Sequence, residues 1–389
     1  MLTTLPSPLD DVREAPTQPD PYPAIAALAV DRPLYRDAAH GFWVATGAEA
    51  VKAVLESRLC LTRPTAGRVP EAIAAGPMGE VYGRLVRLRD DEAGGVLKAA
   101  LARALSRLDL ADAARAAEAC AEALGETIQP EQDRARLTQF MYAMPITALA
   151  GLLGASPGRC SGIGAAIGDY GVGTAAIATS FPPPTDALVA KGHAGAALLS
   201  KLAEALIAQD APAPLLQAWL DEARAAGCAP ADIAANAAGL LVQGYGAMAA
   251  SIGLTLLALA RNPNLRHAAE TDRKALRPLI AETMRLDPTA FSTIRFLAAD
   301  GVVAGQAMRE GEAIIVLLAA ASHDPASNPD RHSFGFGAGR HACPGDKLAP
   351  LIVETGVRRL LARGVSLDGL EAGLSYAPSA HIRTPIFRD

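Results

Sequence analysis

Apolar residues recur at helical spacing through most of the chain. Segments 48–57, 94–106, 110–125, 132–153, 185–208 and 212–225 place Ala, Leu and other apolar residues three and four apart, the pattern of helices that bury one face. Gly/Pro breaks such as Phe181-Pro182-Pro183-Pro184 separate them. The longest apolar run, Ile233 to Ala260, holds no charged residue and is long enough to cross a bilayer. It also carries Asn236, Gln243, Tyr245, Ser251 and Thr255 with four glycines, between Asp232 and Arg261. That mixture predicts a helix buried in the middle of a large domain. Asp20-Pro21-Tyr22-Pro23 opens a further helix, and Pro33 to Thr46 alternates like a short strand pair. After Pro288 the pattern turns to short strands, of which Gly311 to Ala320 is the most apolar. A last helix over 345–362 and a β segment near 366–387 close the chain. The pattern predicts a mainly α protein with a small β portion, one domain over residues 1–389.

Composition narrows the partners. A formal net charge of −5 leaves no basic footprint for nucleic acid or for an anionic membrane surface. The five cysteines, at 60, 120, 160, 228 and 343, are odd in number and scattered, which suits a reducing compartment better than a disulfide framework. Met1 to Pro23 has acidic residues and prolines but no apolar core of a signal peptide, so a cytoplasmic location is expected.

The candidate chemistry lies in Phe336-Gly337-Ala338-Gly339-Arg340-His341-Ala342-Cys343-Pro344-Gly345. Glycines at 337, 339 and 345 permit backbone conformations closed to other residues and let the chain pass near a flat ligand. Phe336 can pack against a ring. Arg340 and His341 offer charge-assisted hydrogen bonds, and a helix started by Pro344 would turn N–H groups toward the sulfur, favouring thiolate over thiol. A cysteine thiolate is one of the axial ligands that haem iron accepts.

This ordered set of Phe, Gly, His, Cys and Gly resembles the haem-ligand signature of the cytochrome P450 family. The resemblance implies a P450 fold in one domain, with haem b (iron protoporphyrin IX) between the long central helix and the cysteine loop with its last helix. It implies Cys343 as the metal ligand and catalytic residue, with Phe336, Gly339, His341 and Gly345 around the cofactor. Glu282-Thr283-Met284-Arg285 on the helix Leu276 to Leu286 is similar to the family's Glu-x-x-Arg pair, expected as a buried structural lock, with Arg331 as a third member. Arg295 matches the arginine that reaches a propionate. Where bacterial members carry His and Arg on one helix, this chain has Gly94 and Lys98, and Lys98 is retained as a point charge on a propionate. Gly244 is expected against the haem face.

The largest departure is on the central helix. Gly246 and Ala247 stand where the family carries an acid and a threonine that relay protons, and neither can transfer one. Water, a substrate group, Tyr245 or His381 remain. The resemblance therefore implies a monooxygenase using O2 with electrons from a ferredoxin and its reductase, with peroxide-using or non-oxygenating haem-thiolate chemistry as the alternative and a haem sensor as the third. Phe181, Tyr245, Met248, Phe291 and His381 are the pocket candidates, for a small or medium apolar or aromatic substrate.

Overall fold

A computed structural model describes residues 11–156, 162–171, 185–327 and 333–389. Contacts divide the chain into two compact units. The first takes Met1–Ala66, Ala281–Cys343 and Leu374–Ile386, and the second Gly67–Ile280, Pro344–Gly373 and Phe387–Asp389.

From the N-terminus the first unit contains α1 (Tyr22–Asp31), β1 (Leu34–Asp37), β2 (Phe42–Ala45), α2 (Ala48–Glu56) and β3 (Cys60–Leu61). The second continues through α3 (Glu71–Ala74), α4 (Pro77–Arg84), α5 (Glu92–Ser106), α6 (Leu110–Ile128), α7 (Arg134–Leu152) and α8 (within 162–171). It adds α9 (Asp186–Ile207), α10 (Pro214–Ala225), α11 (Pro230–Arg261) and α12 (Pro263–Thr271). Helix α13 (Arg273–Leu286) leads back to the first unit, with β4 (Thr293–Leu297), β5 (Gly301–Val303), β6 (Gln306–Met308), β7 (Ala313–Val316) and α14 (Leu318–His323). Helix α15 (Leu348–Ala362) belongs to the second unit, and β8 (Ser375–Tyr376) with β9 (Pro385–Ile386) to the first.

The helices start where local chemistry tells them to. Side chains of Asp91, Asp109, Asp133 and Thr185 accept from backbone N–H groups in the first turns of α5, α6, α7 and α9. Helices α4, α10 and α11 instead begin on a proline, whose fixed φ suits the first turn, and α12 has both a first-turn proline and an Asn262 side-chain cap.

The first unit is built on a sheet of order β1-β2-β7-β4-β3, antiparallel except for the parallel β2–β7 pair. Strand alternation sorts its faces. Ile314 and Val316 join Val54 and Leu55 of α2 in one core, whereas Ile315 between them joins Val12, Phe42 and Val44 in another. Arg383 is fully buried nearby. Its guanidinium donates to Asp287 Oδ1 (3.0 Å) and to the carbonyls of Pro16 (2.8 Å), Gln18 (2.7 Å) and Pro19 (3.0 Å), and lies 3.6 Å from the centre of the Tyr376 ring. Tyr22 donates its hydroxyl to the same Asp287 oxygen.

Two expected boundaries are corrected. The run Gly311 to Ala320 is not one strand: β7 ends at Val316 and α14 starts at Leu318. Leu317 N–H still donates to Ala45 O, the last bond on that edge, and the Ala-rich residues beyond it prefer helix. The last helix starts at Leu348, not at 345, because Pro344 to Lys347 form a turn whose Gly345 carbonyl accepts from Ala349 N–H (2.9 Å).

The β5–β6 turn puts Ala304 at φ +49° before Gly305 at φ +80°. A left-handed alanine costs about 1–2 kcal/mol, and asparagine tolerates that region better. Ala304→Asn is expected to raise stability by about 0.5–1 kcal/mol, seen as a higher thermal midpoint.

In the second unit α11 packs against α7 and α15. A Cβ at Gly356 of α15 would lie 2.9 Å from Ile252 Cδ1 and 3.4 Å from Met144 Sδ, so glycine lets the three helices approach. Among the described residues α11 is the one helix long and apolar enough to cross a membrane, and 61% of its most apolar window is buried.

Candidate functional site

The cysteine loop is held by its own backbone and by two clamps. Gly337 and Gly339 have φ of +68° and +63°. A Cβ on Gly339 would lie 2.9 Å from Leu55 O, so glycine is needed there for both conformation and space. Cys343 N–H donates to Phe336 O (2.8 Å) and closes the loop. Ser333 Oγ, donating to Met284 O (3.1 Å), anchors its start to α13, while Arg340 Nη2, donating to Cys60 O (2.9 Å), anchors its far side to β3. The Cys343 side is exposed, and Phe336 and His341 are half-buried.

Cationic groups gather in the same unit. Arg295 on β4 is only 6% exposed, and its Nη1 donates to Thr293 Oγ1 (3.1 Å) and Ile294 O (2.9 Å). Arg295 and Arg340 both act on Cys60, whose thiol burial pushes up while Ser57 and these two charges pull it down. An exposed thiol, a buried guanidinium and a glycine-opened backbone fit a thiolate-bound iron in a ring that carries anionic side groups.

The Glu282–Arg285 pair forms as expected but is not buried. Arg285 donates through Nε (2.9 Å) and Nη2 (2.6 Å) to the two carboxylate oxygens, and through Nη1 to Ser322 O (3.1 Å), linking α13 to α14. Arg285 holds the Glu282 carboxyl below its usual range. The Glu282 side chain is 53% exposed, so water screens the pair and its net worth is about 0–1 kcal/mol, not that of a buried lock.

Helix α11 runs unbroken past 244. Residues 242–247 are all half-buried, whereas 248–257 are buried.

No family model matches the chain. Cytochrome P450 133B1 of Xylella fastidiosa is 30% identical over 142 residues, 34% of this chain and 35% of that protein. Mycinamicin VIII C21 methyl hydroxylase of Micromonospora griseorubida is 30% identical over 138 residues, 33% and 36% of the two chains. The chain thus matches about a third of the length of these curated relatives. The solved structure of epothilone B-bound cytochrome P450epoK shares the fold with a TM-score of 0.79 at 19% identity, over 96% of this chain and 99% of that one. The chain shares the fold of solved P450 structures and resembles curated P450 proteins over about a third of its length.

The other expected site residues fall in different places. Lys98 is half-buried on α5. One turn earlier a Cβ on Gly94 would lie 2.6 Å from Arg89 Cβ, and Arg89 bridges Asp91 (3.2 Å) and Asp232 (2.9 Å). That arginine occupies the space a histidine at 94 would need. The side of Gly244 that lacks a Cβ faces Leu149 Cδ1 of α7 at 2.5 Å, so this glycine serves helix packing. Met248, 3% exposed, lays its Cε 2.9 Å from the same point and is a core residue. Phe291 is fully buried with Ile25, Ala29 and Leu317, which corrects its expected place on a pocket wall. Phe181 and Arg331 lie outside the described residues. Gly345 sits in the turn before α15.

Two residues keep polar atoms for chemistry. Tyr245 stacks obliquely on Tyr142 of α7, ring centres 5.1 Å apart, and burial pushes its hydroxyl up to about 12. His381 Nδ1 lies 2.7 Å from Ser292 Oγ, which donates its proton to Ala380 O (2.9 Å), so Nδ1 is the donor to Ser292 and Nε2 the bare nitrogen. Burial, with Arg63 and Arg13 adding repulsion, lowers His381 to about 4.

The sign of that shift gives a prediction. Between about pH 6.5 and 4 the unfolded ring takes a proton that the folded ring refuses, so this contribution to stability is lost as pH falls through that window. His381→Gln is expected to lose less stability than the parent between pH 7 and 4.5, by up to about 3 kcal/mol, in urea titrations.

Sequence reasoning missed the bracing roles of buried Arg383 with half-buried Asp287 in the first unit and of buried Asn236 in the second. Pro288 after Asp287 was the nearest local signal.

Proposed function

We propose that the protein is a cytochrome P450, a haem-thiolate oxidoreductase of monooxygenase type using haem b and electrons from a ferredoxin and its reductase on a small or medium apolar or aromatic substrate. The observation that carries the reading is the exposed Cys343 in a glycine-held loop, with Arg295 buried in the same unit. Cys343 would hold the iron, and Arg295 with His341 would hold propionates, with Lys98 as a further candidate. Bound haem with a thiolate ligand supplies O–O cleavage chemistry, because the sulfur pushes electron density onto the metal. The relative named a methyl hydroxylase supports that direction.

The chain's own groups restrict where protons come from. Gly246 and Ala247 carry none to give. Tyr245, raised to about 12, holds its proton too firmly at neutral pH, and His381, lowered to about 4, is already neutral. Proton delivery then falls to water or to the substrate. The same poverty of donors favours a second reading, a peroxide-using enzyme that bypasses the relay.

Turnover of an apolar and aromatic panel, compared with NADH plus ferredoxin and reductase against hydrogen peroxide, separates the two. Product formation with electrons supports the first reading, and product with peroxide alone moves the protein to the second. A chain that takes up no haem overturns both.

A further inference from the structure

Helix α4 has no side-chain cap of its own. Its cap residue is Gly76, at φ +104°, and a Cβ there would lie 3.0 Å from Cε1 and 3.1 Å from Nδ1 of His193 on α9. The imidazole ring takes the place of a cap. Met78 N–H, in the first turn, donates to His193 Nδ1 at 3.2 Å. Accepting at Nδ1 requires a neutral ring with its proton on Nε2.

The other end of the segment is fixed by different chemistry. Leu85 is fully buried, and a Cβ at Gly239 of α11 would lie 2.8 Å from its Cδ2. Asn236, 1% exposed, accepts from Val86 N–H (2.8 Å) and donates to Arg84 O (2.8 Å), while Asp232 accepts from Arg84 (3.0 Å) and Arg89 (2.9 Å). A cleft of about 450 Å³, lined by Val69, Gly79, Tyr82 and Gly83 among others, runs beside α4 and leaves it room to move.

We propose that α4 is a pH-sensitive flap, latched at its N-terminus by neutral His193 and hinged at its C-terminus on Asn236 and Asp232. Protonation turns Nδ1 from acceptor into donor against Met78 N–H. It also puts a positive charge at the positive end of the helix dipole. The other titratable groups on the elements around the ring are Glu71 on α3; Glu80, Tyr82 and Arg84 on α4; and Asp169 and Tyr170 on α8. Asp186, Lys191, Lys201 and Glu204 on α9, with Asp232, Tyr245 and Arg261 on α11, complete the set. Among the described residues the Asp232 carboxylate is already paired with Arg84 and Arg89, away from the ring.

Hydrogen exchange of the full-length protein at pH 8 and pH 5, corrected for the intrinsic pH dependence of exchange, tests the latch. Protection of amides 78–81 is expected to fall about tenfold at pH 5, the order of a lost helix cap, while amides 85–89 keep theirs. His193→Gln, which retains an amide acceptor without a titratable proton, is expected to remove the pH dependence. The proposal is overturned if amides 78–81 are equally protected at both pH values, if the glutamine variant loses protection as the parent does, or if 85–89 loosen in parallel.

Discussion

Cys343→Ser is expected to abolish the haem-thiolate spectrum of the reduced carbon monoxide adduct while leaving the fold in place. A serine hydroxyl does not ionise at neutral pH, so no anionic sulfur or oxygen is available to the iron. The loop itself does not depend on the sulfur. Cys343 contributes a backbone N–H to Phe336 O, Gly337 and Gly339 keep their left-handed conformations, and Arg340 still donates to Cys60 O. The side chain is exposed, so the substitution should change unfolding free energy by no more than about 0.5 kcal/mol. Absorbance spectra and a denaturant titration on the same preparation check both halves. Survival of the thiolate band in the serine protein would remove Cys343 as the ligand.

Arg383→Met should cost about 3–5 kcal/mol, a large share of the roughly 5–15 kcal/mol that holds most domains folded. Methionine fills much of the arginine's volume but donates nothing. Asp287 would lose its bond from the guanidinium while keeping that from Tyr22, and the carbonyls of Pro16, Gln18 and Pro19 would lose the arginine as donor. Because the parent guanidinium is fully buried, water cannot take over these bonds without opening the unit. Adding Asp287→Asn should recover part of the loss, since it removes the charge left behind. A urea midpoint unchanged in Arg383→Met would mean that the network is solvated in solution.

The residues that could be read from sequence are those whose environment is made by near neighbours. The cysteine loop closes within ten residues, from Ser333 to Cys343, and its glycines take the left-handed conformations their spacing implied. Glu282 and Arg285 pair because three residues along a helix is one turn. The helices over 94–106, 110–125 and 132–153 were legible because apolar residues recur at helical spacing within each, and Asp91, Asp109 and Asp133 cap them locally.

What stayed hidden depends on where distant segments meet. Arg383 finds Asp287 across 96 positions, Met78 finds His193 across 115, and Arg89 finds Asp232 across 143. The same holds for Phe291, Met248 and Gly244. Their types suit a pocket wall as well as a core, and only the packing of α1, α14 and α7 around them decides for the core. The exposure of Glu282 was equally invisible, because a charge pair reads the same in sequence whether water reaches it or not. Sequence by itself supplied the family resemblance, the iron-ligand candidate and the helical plan, since those rest on local spacing and backbone chemistry. The tertiary structure alone decided which polar groups are buried, which glycines serve packing and which titratable side chains are shifted, because desolvation and long-range hydrogen bonds exist only once the chain has folded.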